Sequence, residues 1–186
     1  MKNKFLMSLA LASAVLFAGS AMAQTATTAA STVPSFKGAY VGVEGGVSSL
    51  APATKTSNNL GLVYDGIGGY NVTFGQGWVT GVEASFGKKD TENYTVTAGG
   101  RIGHTLVSPT TLGYVKVAYA NTNLDANGAS GSLNGVQVGT GVETFLTQKI
   151  SGRLEGDYTD YASRSFNGAD VNPADVAVKA AVAYHF

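Results

Sequence analysis

The sequence of 186 residues contains no cysteine, and its only histidines are His104 and His185. The missing thiols exclude disulfides, thiolate nucleophiles and thiolate metal sites. Two distant histidines without matching ligand spacing do not indicate a metal site either. Charged residues make up 13% of the chain, about half of their share in a typical soluble domain. We therefore predict no metal and no cofactor. The low content of charged residues is unusual for a soluble domain and needs an explanation.

Long apolar runs are also scarce, and the one clear example lies at the N-terminus. Two lysines within the first four residues precede an apolar run that begins at Phe5, and small residues end it. This order is typical of a secretory signal peptide, here cleaved between Ala23 and Gln24. A membrane-anchoring helix needs about 20 apolar residues, and this run is shorter. We predict that residues 1–23 direct export.

An excess of basic residues is missing as well. Without residues 1–23 the chain has 163 residues, with ten basic against twelve acidic residues and a formal charge of −2. Proteins that bind nucleic acid carry a basic patch or stripe, so we predict no nucleic-acid partner. The length indicates one domain. Residues 24–37 are small and polar, and we predict that they form a flexible lead-in on the periplasmic side.

What the sequence does contain is alternation with a period of two. Eight segments show it, and they span residues 39–48, 63–72, 78–86, 94–103, 112–120, 136–146, 150–159 and 176–186. One face of these segments carries no charge. Every charge within them lies on the other face: Glu44, Asp65, Glu83, Arg101, Lys116, Glu143, Arg153, Glu155, Asp157 and Lys179. The uncharged face therefore meets a medium that does not solvate ions.

A soluble sandwich or lipocalin-like barrel would also alternate, but its outer face would carry many lysines and glutamates. Here the second face is sparsely charged and rich in Gly, Thr and Ser, which fits a membrane barrel with a polar lumen. In lipid, only helices and closed barrels pair all backbone groups. We predict an all-β fold: an eight-stranded antiparallel up-and-down transmembrane barrel over residues 38–186.

The connections and the aromatic residues indicate how such a barrel is oriented. Gaps after odd-numbered strands are long, as between Asn121 and Leu133, whereas gaps after even-numbered strands are short. Outer loops are longer than periplasmic turns in such barrels, which puts both termini in the periplasm. Aromatic residues near strand ends on the apolar face predict girdles at the membrane interfaces. They are Trp78, Phe86, Tyr94 and Tyr158.

Three stretches carry a resemblance to a known family: "GAYVGVEGG", "TAGGRIGH" and "VGTGVETFLTQKISGRLEGDYTDY". They resemble the small eight-stranded outer-membrane barrels of Gram-negative bacteria, the OmpA/OmpX-type and opacity-protein-like porin group. The resemblance covers the whole chain after residue 23. It implies a place in the bacterial outer membrane, among lipids and lipopolysaccharide. It also implies that the ending at Tyr184 and Phe186 is a signal for the machinery that inserts barrels.

Two functions are distinguished by whether the lumen of the barrel is closed or open. An eight-stranded barrel is just wide enough for side chains to fill it, and unpaired buried charges are costly. We therefore predict a lumen network of ion pairs that closes the barrel. Its members are Glu44, Glu83, Arg101, Lys116, Glu143, Arg153, Glu155, Asp157 and Lys179. The predicted pairs are Lys116–Glu143, Glu143–Arg153, Asp157–Lys179 and Glu44–Lys179.

A closed lumen favours a structural and surface-display role. The alternative is a small passive diffusion channel, because glycines on the lumenal face leave room for water. A third interpretation is an adhesin or receptor that binds an unknown surface ligand through its polar outer loops. We predict no catalytic residues, since neither His104 nor His185 has an evident serine and acid partner in the sequence.

Overall fold

The computed structural model describes residues 33–51, 60–89, 93–126, 129–162, 164–166, 169–171 and 174–186. The predicted signal peptide, its cleavage site at Ala23 and Gln24, and residues 24–32 of the lead-in lie outside the described residues. The same holds for parts of the predicted outer loops. No helix in the described ranges has the length and apolar character that a membrane span requires.

The described residues form ten strands. These are β1 (Gly38–Ala51), β2 (Leu60–Phe74), β3 (Trp78–Lys89), β4 (Asn93–Thr105), β5 (Thr111–Ala126), β6 (Ala129–Phe145), β7 (Ile150–Tyr161), β8 (Arg164–Phe166), β9 (Ala169–Val171) and β10 (Ala174–His185). Strands β1 to β7 and β10 form a closed antiparallel barrel in which β10 pairs with both β7 and β1. Strands β8 and β9 pair only with each other. The predicted fold, a closed eight-stranded antiparallel barrel, is confirmed.

Barrel strands extend beyond the alternating segments, most of all in β5 and β6. The prediction of a loop between Asn121 and Leu133 is wrong, because the two strands stay paired from Asn121 and Asn134 to Ala126 and Ala129. Apolar alternation ends where a strand leaves its apolar surroundings, whereas backbone pairing does not need that contrast. The periodicity of the side chains therefore underestimates the length of these strands.

The two faces of the barrel divide as the alternation predicts. Valines such as Val43, Val117 and Val138 are exposed on the outside. The ten charged residues of the alternating segments lie on the inside, most of them buried. Outside, the four predicted girdle residues lie near strand ends, and the Phe86 and Tyr94 rings stack at 5.8 Å. Their position at a membrane interface stays a prediction.

The two ends of the barrel differ. One end, here called the termini end, carries Gly38, His185 and the turns at 75–77, 106–110 and 146–149. The tightest of these turns uses Gly75 and Gly77, whose φ angles of 55° and 81° suit glycine. The opposite end, here called the loop end, carries the connections at 52–59, 90–92, 127–128 and 162–173.

Candidate functional site

Two tyrosines and two arginines form a layer across the lumen, in the half nearer the termini end. Tyr40 on β1 and Tyr114 on β5 project from opposite walls, since three strands lie between β1 and β5 in either direction. The Arg101 guanidinium lies 4.7 Å from the Tyr40 ring centroid and 5.1 Å from that of Tyr114. The guanidinium of Arg153 lies 5.6 Å and 5.4 Å from the same rings. Cation–π contacts thus link the two walls.

Glu143 is the most heavily bonded carboxylate of this layer, and its side chain is 0% exposed. Its Oε2 accepts hydrogen bonds from Arg101 Nη1 at 2.9 Å and from Arg153 Nη2 at 3.3 Å. Its Oε1 accepts one from Ser151 Oγ at 2.7 Å, and His185 Nε2 lies 3.0 Å away. These partners offset the desolvation of the buried carboxylate.

Two further glutamates tie the tyrosines to the arginine layer. Glu83 accepts a hydrogen bond from the Tyr40 hydroxyl at 2.6 Å and another from Arg153 Nη1 at 2.7 Å. Glu155 accepts one from the Tyr114 hydroxyl at 2.5 Å. Each tyrosine therefore donates a hydrogen bond from its hydroxyl group to a carboxylate, and guanidinium groups lie over the face of its ring.

Lys116 begins the next layer, toward the loop end. Its Nζ donates to Glu155, and it lies 3.4 Å from Asp157 Oδ1 and 3.7 Å from Glu83 Oε1. The side chain is buried together with these carboxylates. One ammonium group therefore holds three acidic side chains from strands β3 and β7.

Lys179 completes this layer from β10. Its Nζ lies 2.5 Å from Glu44 Oε1, 3.1 Å from Asp157 Oδ2 and 3.5 Å from Asp65 Oδ2. Asp157 is thus shared by both lysines. All nine residues of the predicted lumen network lie in one connected cluster, and Asp65 belongs to it as well.

One of the four predicted pairs is wrong. The pairs Glu143–Arg153, Asp157–Lys179 and Glu44–Lys179 lie at 3.3, 3.1 and 2.5 Å, but Lys116 pairs with Glu155. The register explains this outcome, because Lys116 stands opposite Gly139 on β6, whereas Glu143 stands opposite Leu112. Four residues of strand therefore separate Lys116 from the level of Glu143.

Lumenal glycines make room for these large side chains. Gly69 stands opposite Tyr40 and Gly141 stands opposite Tyr114. A Cβ atom would lie 2.5 Å from Tyr40 Cζ at Gly69 and 2.6 Å from Tyr114 Cζ at Gly141. The expectation that lumenal glycines leave space for water is wrong at both positions, because neighbouring rings occupy that space.

No partner for His185 was evident from the sequence, yet the fold brings two polar side chains to it. His185 Nε2 lies 3.0 Å from Ser151 Oγ and 3.0 Å from Glu143 Oε1. A catalytic triad needs the acid on the other ring nitrogen, and here Nδ1 has no hydrogen-bond partner among the described residues. Ser151 is also fully buried. Because alternate residues of a strand face the same side, the sequence already predicted that the Ser151 and His185 side chains lie inside the barrel.

Phe36 is a second residue that the sequence analysis missed. We expected residues 24–37 to be flexible, but Phe36 is only 2% exposed and packs inside the termini end. The prediction of a flexible lead-in therefore does not hold for this residue. The sequence indicated the burial of Phe36 only by placing a single large apolar side chain within a polar segment.

The loop end of the lumen is polar and mostly uncharged. Ser85 lies 2.7 Å from Thr97, and Gln137 donates to Thr159 at 3.3 Å. Nearer the rim, Lys89 and Asp175 form an ion pair at 2.6 Å. Within the described ranges, no group of three His, Asp or Glu side chains is arranged to hold a metal ion.

Comparison with known proteins gives one family match. The sequence matches the family described as "Outer membrane protein beta-barrel domain" over residues 9–186. No curated protein sequence matches the chain.

Solved structures with a similar fold include the Neisserial surface protein A (NspA), with a TM-score of 0.58 and 14% identity over 81% of this chain and 98% of that chain. Another is the N-terminal β-barrel domain of Pseudomonas aeruginosa OprF, with a TM-score of 0.51 and 13% identity over 79% of this chain and 97% of that chain. At these identities the likeness concerns the fold alone.

Proposed function

Because the chain belongs to the outer membrane protein beta-barrel domain family, we propose that it is a closed outer-membrane barrel with a structural and surface-display role. In this proposal the termini end faces the periplasm and the loop end faces outward. Two of the four connections at the loop end, 52–59 and 162–173, span more residues than any turn at the termini end, which supports this orientation. Lipids and lipopolysaccharide would then surround the apolar outer face.

The observation that carries the proposal is the interlocked lumen network. Side chains from all eight barrel strands meet in it. Glu143 alone joins four cationic or polar neighbours from three other strands. An ion that crosses the lumen would have to separate buried pairs in a medium of low dielectric constant. Such separation is strongly unfavourable, which favours a lumen that does not conduct.

The diffusion channel is the alternative, and one observation favours it. The loop end of the lumen is lined by hydroxyl and amide groups such as Ser85, Thr97 and Gln137, which suit bound water. This polar region ends at the layer of Lys116 and Lys179, so a complete aqueous path would require that layer to open. An adhesin or receptor role for the loops stays a prediction, because parts of these connections lie outside the described residues.

We infer no catalytic activity. The buried group of Ser151, His185 and Glu143 lacks the order of a nucleophile, a base and an orienting acid. Ser151 donates to the Glu143 carboxylate and is fully buried, so its hydroxyl is already engaged in a hydrogen bond.

Single-channel recording tests the proposal. The chain without residues 1–23 is refolded into a planar bilayer, and a general porin in a separate bilayer is the positive control. We expect no steady current from the folded barrel. Reproducible conductance of the wild-type chain would overturn the closed lumen and favour the diffusion channel.

A further inference from the structure

The residue just before the barrel is buried in a way that its segment does not predict. Phe36 precedes β1 by two residues and is 2% exposed, whereas Val33 in the same segment is 58% exposed. Ser35 and Lys37 on either side of Phe36 are exposed. The segment therefore turns a single aromatic side chain into the lumen and leaves its neighbours in solvent.

The Phe36 ring meets side chains from several strands at the termini end. Its centroid lies 4.6 Å from that of Phe145 and 6.0 Å from the ring of His185. It also packs with Val79 and Leu112, both at most 2% exposed. We name the group of Phe36, Val79, Leu112 and Phe145 the apolar seal. Its members come from the lead-in and from strands β3, β5 and β6.

A hydrogen bond fastens the backbone of this segment to the lumen. Asn71 Nδ2 donates to the Phe36 carbonyl oxygen at 3.0 Å, and Asn71 is fully buried. The amide oxygen of Asn71 accepts a hydrogen bond from Arg101 Nε at 3.1 Å. One side chain thus connects the segment to the arginine layer of the lumen network.

We propose that Phe36 is a tethered apolar stopper that closes the termini end of the lumen, in series with the lumen network. The inference deepens the closed-lumen function and rests on it. Apolar constrictions block water and ions because a narrow passage without polar groups loses its water. The network blocks the lumen by a different means, since its charges are neutralised by one another.

The stopper predicts that the lumen behind it is shielded from the termini end. Ser151 is enclosed by the seal, because it stands opposite Phe145 on β6, is 0% exposed, and its hydroxyl lies 3.0 Å from the His185 ring that contacts Phe36. Ser85 lies at the loop end and serves as the reference position. The native chain has no cysteine, so Ser151→Cys and Ser85→Cys each introduce a single thiol of nearly unchanged size.

The experiment measures the rate at which a small charged thiol reagent modifies each cysteine in the folded barrel. With Phe36 present, we expect Ser151→Cys to react at least about tenfold more slowly than Ser85→Cys, which corresponds to about 1.4 kcal/mol. Adding Phe36→Ala should raise the Ser151→Cys rate by at least about tenfold and leave the Ser85→Cys rate unchanged. Val33→Ala is the matched control and should change neither rate.

Equal rates for the two cysteines with Phe36 present would overturn the stopper, and this comparison does not depend on folding of the Phe36→Ala variant. An unchanged Ser151→Cys rate in a folded Phe36→Ala barrel would overturn it as well. Conductance separates this inference from the proposed function. A wild-type barrel that conducts but still protects Ser151→Cys through Phe36 would refute the closed lumen and leave the stopper in place.

Discussion

Tyr114 on β5 stands directly opposite Gly141 on β6, and its phenol ring occupies the space in which a side chain at residue 141 would lie. Tyr40 and Gly69 repeat this relationship on the opposite wall. Small barrels commonly fill their interior by pairing large with small residues. These glycines therefore determine where the two aromatic rings stand, and the rings position Arg101 and Arg153 between them.

The first prediction concerns Gly141→Ala. Its Cβ atom would lie 2.6 Å from Tyr114 Cζ and 2.7 Å from the Leu154 carbonyl oxygen, so the ring has to move. We expect a loss of about 1–3 kcal/mol in the free energy of unfolding, measured by denaturant titration in lipid vesicles. Gly156→Ala is the control, because nothing lies within 4 Å of its Cβ position. Equal stability of the two variants would contradict the packing of Tyr114 over Gly141.

The second prediction concerns Glu143→Ala. The substitution leaves Arg101 and Arg153 buried without one of their carboxylates. Removal of one partner from a buried ion pair typically costs about 3–5 kcal/mol, and we expect a loss of this size in unfolding titrations. Asp160→Ala removes an exposed carboxylate from β7 and should have an effect of less than about 1 kcal/mol. A small loss for Glu143→Ala would show that the network contributes little to stability.

The third prediction concerns arginine substitutions on the outer face of the barrel at two depths in the membrane. Val117 is 56% exposed in the middle of β5, where the membrane core would lie. Val117→Arg should reduce the free energy of unfolding in vesicles by about 2–4 kcal/mol, the cost of an arginine at the midplane. Asn123→Arg on the same strand lies level with Tyr94 and should cost about 0–1 kcal/mol. Equal costs at both depths would contradict a membrane centred on Val117.

The fourth prediction separates assembly from stability at the last residue. The Phe186 side chain is 72% exposed and contacts the Tyr184 ring at 5.2 Å, so it contributes little to packing inside the barrel. The resemblance implies that this residue is a signal for the insertion machinery. We therefore expect Phe186→Ala to lower the amount of folded barrel in the outer membrane of cells severalfold. Refolding yield into vesicles should stay unchanged. Val182→Ala, on the same outward face, is the control and should preserve assembly in cells.

Sequence parity alone identified which side chains face the lumen. Glu44 points inward and Val43 points outward because successive side chains of a strand alternate between its two faces. This rule is local and needs no knowledge of neighbouring strands. Parity also placed Ser151 and His185 inside, although nothing in the sequence indicated that the two side chains meet.

Partner choice inside the lumen depended on the register of the strands. Lys116 and Glu143 share a face and lie on adjacent strands, yet pairing of Lys116 with Gly139 sets them at different depths. A shift of register changes which residues meet without altering the composition of either face. Predicted pairs therefore need the alignment of all eight strands before they can be assigned.

The sequence by itself determined that this chain alternates, that its charges share one face and that eight strands are long enough to close a barrel. The tertiary structure decided which charges meet, how Tyr40 and Tyr114 enclose two arginines and how Phe36 enters the termini end. The physical reason is that the two properties depend on contacts over different distances along the chain. Alternation follows from the geometry of a single strand, whereas contacts across the lumen depend on the stagger of all strands in the closed barrel.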